Sequence, residues 1–195
     1  MKKMLFLLLL LNIFCLTAQE TSKEFQDTLN KEYGNREKSP LTDEDFKVFK
    51  GLDFYPINEK FIVEAKFTRT PNEKVFKMKT STSRAPEYVK YGELLFTIDG
   101  KDFKLNLYQN IELIKKAGFE DYLFLPFSDL TCGMESYIGG RYIDMRIPKG
   151  DTMTIDFNKA YNPYCAYNYK YSCPIVPLEN NLDIAILAGV KKFHE

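Results

Sequence analysis

The last third of the chain holds a chemically capable set of five carboxylates, one guanidinium and four phenols. They are Asp129, Glu135, Asp144, Asp156 and Glu179, with Arg141 and the tyrosines Tyr137, Tyr142, Tyr161 and Tyr167 among them. A pair of acids could do general acid/base work or hydrolyse a glycoside. Several could hold a calcium ion. Arg141 could hold an anionic or carbonyl group of a ligand while tyrosines stack on its flat face. The same residues could also form a buried polar network, with Arg141 taking a carboxylate bidentately and Asn158, Asn162 and Asn180 satisfying loop backbone. Spacing alone leaves binding, catalysis and scaffold open.

Other chemistries have less to stand on. His194 is the only histidine and sits second from the C-terminus, so a Ser-His-Asp or Cys-His mechanism would rest on a tail residue. Gly139-Gly140 lacks the spacing of a phosphate loop, and no C-x-x-C occurs. Cys165 and Cys173 are spaced to close a short disulfide, worth about 2–3 kcal/mol through the unfolded state. A metal site of Cys132, Cys165, Cys173 and His194 is not recommended by spacing. Two free buried thiols are the third alternative. No cofactor is indicated.

The element that must position these groups is the stretch 156–168, DFNKAYNPYCAYN. It is dense in Asn, Tyr and Pro and poor in aliphatics. That composition fits an ordered loop held by side-chain hydrogen bonds and finished by Cys173, Pro174 and Pro177. A hairpin over Tyr142–Phe157 is expected to lead into it. A three-residue loop, Pro148-Lys149-Gly150, would set Ile143 opposite Ile155 and Met145 opposite Met153. Arg141 would then face Phe157, and Tyr142 would face Asp156.

Elsewhere the patterns are local. A capping box of Thr21 and Glu24 opens a helix over 20–34 with Phe25, Leu29 and Tyr33 in one stripe. A second helix is expected over Asp43–Lys50. Phe61–Arg69 alternates as a half-buried strand, and Val75–Thr80 is a weaker one. Asp99-Gly100 is a two-residue type I′ turn that pairs Phe96 with Phe103 and Leu94 with Leu105. Ile111–Gly118 reads as a short helix, Tyr122–Phe127 as a strand and Leu178–Ala188 as a helix stopped by Gly189. The last residues could add an edge strand. The sum is a mainly β (α+β) fold, an antiparallel curled sheet forming a sandwich or partly open barrel with N-terminal helices and a C-terminal helix.

Residues 1–18 read as a signal peptide, with Lys2 and Lys3 before an apolar run and Ala18 before the cut. A periplasmic or secreted location follows; Phe14 disfavours lipidation of Cys15. The expected organisation is 1–18 signal, 19–52 a helical segment packed on the domain, and 53–195 one β-rich domain. Losing Lys2 and Lys3 leaves 25 basic against 27 acidic side chains, a net of −2. That balance disfavours nucleic acid as a partner, and no membrane contact beyond the cleaved signal is expected. Sixteen Phe and thirteen Tyr with no Trp suit an aromatic, β-rich core.

Four strings carry a family likeness: P-F-x-D-x-T-x-G-x-E-x-Y at 126–137, G-R-Y-I-D at 140–144, D-F-N-K-A-Y-N-P-Y-C-A-Y at 156–167 and C-P-I-V-P-x-E-N-x-L at 173–182. With weaker matches at Phe49–Phe54 and Tyr91-Gly92, the chain resembles the bacterial domain-of-unknown-function 1684 family. Cys132 and Val176 depart from that pattern, in place of a small polar residue and a proline. The resemblance brings no activity with it. The leading expectation is therefore an exported, non-catalytic module that binds a small molecule in a polar-aromatic pocket. That pocket would be built from Asp129, Glu135, Tyr137, Arg141, Tyr142, Asp156, Asn158, Tyr161, Asn162, Tyr167, Glu179 and Asn180. The alternatives are an acid/base hydrolase using Asp129, Glu135 or Asp156, and a structural or partner-binding protein.

Overall fold

The computed structural model describes residues 20–194, so the expected signal peptide and Cys15 lie outside the described residues. Helix α1 (Ser22–Tyr33) begins where Thr21 accepts from the Glu24 backbone while Glu24 returns a hydrogen-bond acceptor to Thr21. A short helix, α2 (Asp43–Val48), follows behind Thr42. The rest is one seven-stranded sheet with only short 3₁₀ turns.

The strands are β1 (Ile62–Arg69), β2 (Phe76–Lys77), β3 (Glu87–Ile98), β4 (Lys101–Asn110), β5 (Tyr122–Phe127), β6 (Arg141–Arg146) and β7 (Thr152–Asp156). Their order is β6-β5-β4-β3-β1-β7, with β2 added beside β3 and every pairing antiparallel. The β3–β4 hairpin turns at Asp99 (φ +52°) and Gly100 (φ +74°), the two left-handed residues a type I′ turn needs. Its register sets Phe96 against Phe103 and Leu94 against Leu105, as the sequence pattern requires.

β6 and β7 do not form a hairpin. β6 pairs with β5, placing Arg141 beside Phe127, Ile143 beside Leu125 and Met145 beside Leu123. β7 pairs with β1, placing Ile155 beside Val63 and Met153 beside Ala65. Tyr142 bridges Tyr161 instead of facing Asp156. The inward residues are those expected, but alternation fixes only which face a side chain takes, and any strand with an apolar inner face can accept it.

This arrangement forces curvature. A flat sheet of six strands would hold its edges about 24 Å apart. The link from Arg146 to Thr152 reaches about 20 Å when fully extended. The sheet therefore curls into a half-barrel whose edge strands approach across a cleft of about 400 Å³ lined by Met145, Arg146, Met153 and Thr154.

The concave face is the core, with Val63, Ala65, Leu94, Phe96, Leu105, Leu107, Leu123, Leu125, Phe127, Ile143 and Ile155 all buried. Leu182, Ile186 and Ala188 join it from the C-terminal segment. That segment is not a helix: after a 3₁₀ turn at Leu178–Asn180 it runs irregularly. Its carbonyls are taken by Arg141 rather than by N–H groups four residues on. The expected helix over 111–118 is likewise only the turn Leu113–Lys115. Asn110 caps the backbone N–H groups of Glu112 and Leu113, and Gly118 turns left-handed at φ +83°.

Candidate functional site

The curl gives the sheet a second, outward face, and on β4, β5 and β6 that face is aromatic. Tyr108, Phe124 and Asp144 are consecutive register partners across these strands. Tyr142 and Tyr122 flank them on the same face, two residues either way along β6 and β5. An outward sheet face is normally solvated. Here Met78, Tyr88, Tyr108, Phe124 and Tyr142 are buried as a second cluster, with Tyr122, Tyr161 and Val176 packed against it. Tyr161 reaches this face because its backbone exchanges two hydrogen bonds with Tyr142, at 2.9 and 3.0 Å.

The cover is incomplete. Between the outward face, α1 and the segment 161–174 lies a cavity of about 550 Å³, lined by Phe25, Leu29, Tyr88, Tyr122, Phe124, Tyr142, Asp144 and Tyr161 among others. Phe124 meets Tyr142 edge-on at 4.7 Å, and Tyr142 meets Tyr161 edge-on at 5.9 Å. The phenols of Tyr122 and Tyr161 both donate to Asp144 Oδ1, at 2.7 and 2.5 Å. Among the described residues Oδ2 has no donor. Burial, and then the nearby Asp144 charge, push the Tyr122 and Tyr161 phenols well above the ordinary tyrosine range, so both remain donors at neutral pH. The Tyr142 phenol, raised mainly by burial, donates to the Pro174 carbonyl.

The other sequence-selected residues are placed elsewhere. Arg141 and Asp129 are closed to solvent, joined at 2.8 Å through Nη2 and Oδ2. The contact is single rather than bidentate, because the guanidinium also donates to the carbonyls of Ile186, Ala188 and Val190. Asp129 Oδ1 takes the backbone and hydroxyl of Thr131 and the Ile186 N–H. Asn158 holds both backbone groups of Asn58 and also donates to Asp156, while Ser22 donates to Asp156 Oδ2 at 2.7 Å. Asn180 holds both backbone groups of Asn106 and the Pro126 carbonyl. Asn162 donates to the Lys191 carbonyl. All three asparagines are fully buried. Tyr167 is buried edge-on against Tyr33, 5.0 Å between ring centres.

Three more lie away from the aromatic cavity. Tyr137 lines a cavity of about 420 Å³ beside Cys165 and His194. Glu135 lines an adjoining hollow with Asp53, the two hollows sharing Lys192, Phe193 and His194, and Glu179 lines a distant one with Lys90 and Tyr108. The three acids considered for hydrolysis, Asp129, Glu135 and Asp156, thus occupy three different surroundings. Of the twelve residues expected to build a pocket, only Tyr142 and Tyr161 line the aromatic cavity. Asp144, one of the five carboxylates, joins them. Tyr88, Tyr122 and Phe124 stand outside the expected set, although the unbroken apolar run Tyr122–Phe127 signals a strand covered on both faces.

The expected Cys165–Cys173 disulfide is absent, and both are free thiols. The Cys173 sulfur instead accepts the Cys165 backbone N–H at 3.2 Å. The segment needs no covalent staple, since Ser81 bonds both backbone groups of Cys173 and Thr80 bridges Pro174. The hydrogen bond from Cys173 pulls the Cys165 thiol below its usual range, with the Tyr137 phenol adding to it against burial. The same bond pushes the Cys173 thiol up. No cluster of three or more His, Cys, Asp or Glu able to hold a metal occurs among the described residues.

The fold and this site define a class: a half-barrel of one antiparallel sheet, with its core on the concave face and an aromatic cavity on the convex one. The chain belongs to the family described as a protein of unknown function, DUF1684, matched over residues 47–191. It is similar to the solution NMR structure of the uncharacterized protein from gene locus rrnAC0354 of Haloarcula marismortui. The two are 32% identical over 87% of this chain and 91% of that one, with a TM-score of 0.68. No curated protein matches the chain. The family match begins after α1, so Phe25 and Leu29, which wall the cavity, lie before it.

Proposed function

We propose that the protein is an exported small-ligand-binding module and that its site is the aromatic cavity around Phe124, Tyr142, Tyr161 and Asp144. One observation carries this reading. A cavity of about 550 Å³ lies within the size range of small-molecule sites and combines aromatic and apolar walls with a fixed carboxylate. Two phenols hold the Asp144 carboxylate in place, so the recognition group is oriented before any ligand arrives. The buried Arg141, Asp129, Asn158 and Asn180 serve this site indirectly, by fixing the segments that frame the sheet. Export is supported by the character of residues 1–18.

The test is a fragment screen on the full chain, read by NMR of the aromatic side chains. Hits should perturb Tyr122, Phe124, Tyr142 and Tyr161 together, and Tyr161→Ala should weaken them while the dispersed spectrum of the fold persists. Hits confined to other surfaces, or none from a broad library, would sink the reading.

A further inference from the structure

From the charges around the cavity, resting on the reading above, we infer that the ligand is a small organic ammonium ion with an apolar body. The charged residues of the wall are Glu32 and Asp144, and no lysine, arginine or histidine lines it among the described residues. Three cations stand close to the wall, and each has partners of its own. Arg84 donates to the hydroxyl and the carbonyl of Ser172, at 3.2 and 2.7 Å. Lys38 bonds Glu32 at 3.0 Å. Arg146 bonds Asp121 at 2.6 Å and packs its guanidinium over the Phe119 and Tyr122 rings. Arg146 shows how the outer side of this aromatic wall already receives a cation.

The inner side offers the same chemistry without a protein cation to fill it. Phenol and phenyl faces attract positive charge through their quadrupole, and rings from several directions form a cage suited to ammonium groups. Asp144 adds a formal charge. Its Oδ1 is occupied by two phenols, which leaves Oδ2 to accept from an ammonium N–H or to face a quaternary nitrogen. An anionic ligand would meet Asp144 and Glu32, and the one guanidinium at the rim, Arg84, already spends its donors on Ser172. A neutral ligand would leave the carboxylate without an ionic partner. Phe25, Leu29 and Tyr88 then provide the surface for the apolar body.

Three probes of one shape separate the possibilities: phenethylammonium, phenethyl alcohol and phenylacetate, titrated into the full chain and followed at the tyrosine ring signals. The ammonium ion should bind at least about tenfold more tightly than the alcohol, and phenylacetate should not saturate the site. Raising the salt from low to molar ionic strength should shrink that preference. Asp144→Asn should bring the ammonium ion close to the alcohol, and Glu32→Gln should lower its affinity by a smaller factor. If the alcohol or phenylacetate binds as well as the ammonium ion at the same tyrosines, the cation inference is wrong and the pocket stands. If no probe moves those tyrosines, the pocket reading falls and this inference with it.

Discussion

Arg141 Nη2 lies 2.8 Å from Asp129 Oδ2, with neither side chain exposed, and this pair ties β6 to the irregular C-terminal segment. The guanidinium spends its remaining donors on the carbonyls of Ile186, Ala188 and Val190, except that Nε finds no acceptor. Removing Arg141 leaves the Asp129 charge buried and the carbonyls of Ile186 and Ala188 unpaired, and removing Asp129 leaves the guanidinium charge buried and the Ile186 N–H unpaired. Arg141→Ala and Asp129→Ala should each cost about 3–5 kcal/mol, measured by urea unfolding. Asp129→Leu with Arg141→Met together should cost less than the sum of the two alanine changes, because no lone charge remains buried. Equal stability of Arg141→Ala and the parent would remove the structural role assigned to the pair.

Asn180 should behave differently from the acids near it in sequence. Asn180→Ala leaves the Asn106 N–H and the Pro126 carbonyl without partners, at a cost of about 1–3 kcal/mol. Glu135→Gln and Glu179→Gln change exposed side chains and should stay within about 0.5 kcal/mol. Thermal unfolding of the three variants side by side checks the contrast.

Two left-handed glycines give a graded prediction. Gly100 sits in the β3–β4 turn at φ +74° with open space where a Cβ would go. Gly100→Ala should therefore cost only the conformational strain, about 1–2 kcal/mol. Gly140 stands at φ +82°, and a Cβ there would meet the Phe127 carbonyl oxygen at 2.5 Å and Val176 at 2.7 Å. Gly140→Ala should be clearly the worse of the two by denaturant midpoint.

Alkaline pH should destabilise the fold through its buried phenols. Tyr33, Tyr122, Tyr142 and Tyr161 are all pushed upward, mainly by burial, so the folded chain keeps protons that the unfolded chain releases near pH 10. Their stabilising contribution is complete below pH 10 and is lost as pH rises above it, because the folded state then binds more protons. Each retained proton should steepen the loss by about 1.4 kcal/mol per pH unit. Tyr122→Phe should make the slope between pH 10 and 11 shallower. An unchanged slope would mean that Tyr122 ionises freely in the folded protein.

The thiols give a direct chemical check. Cys132, Cys165 and Cys173 should all alkylate in denaturant without reductant, as free thiols. In the native protein Cys165 should outpace Cys173 near neutral pH, since their shared hydrogen bond favours the Cys165 thiolate. Mass mapping of partly alkylated protein distinguishes them, and faster labelling of Cys173 would reverse the assignment.

The amino-acid sequence by itself determined the local elements. The Asp99-Gly100 turn and its register, the capped start of α1 and the inward parity of Ile143, Met145, Met153 and Ile155 all depend on residues a few positions apart, where dihedral preference and alternation act. The density of Asn and Tyr in 156–168 also announced a hydrogen-bonded loop. Tertiary structure alone decided which strands became neighbours, and with that the site. Parity gives every strand the same inward face, so it cannot choose between β7 and β5 as the partner of β6. Pairing with β5 sets Asp144 beside Phe124, 20 residues earlier in the chain, and delivers Tyr161 to the same outward face. The same long-range choice closes Arg141 and the asparagines into the scaffold and leaves Asp144 at an open cavity. Contacts between distant segments are settled by the summed burial and hydrogen bonding of the whole sheet, which no short stretch of sequence contains.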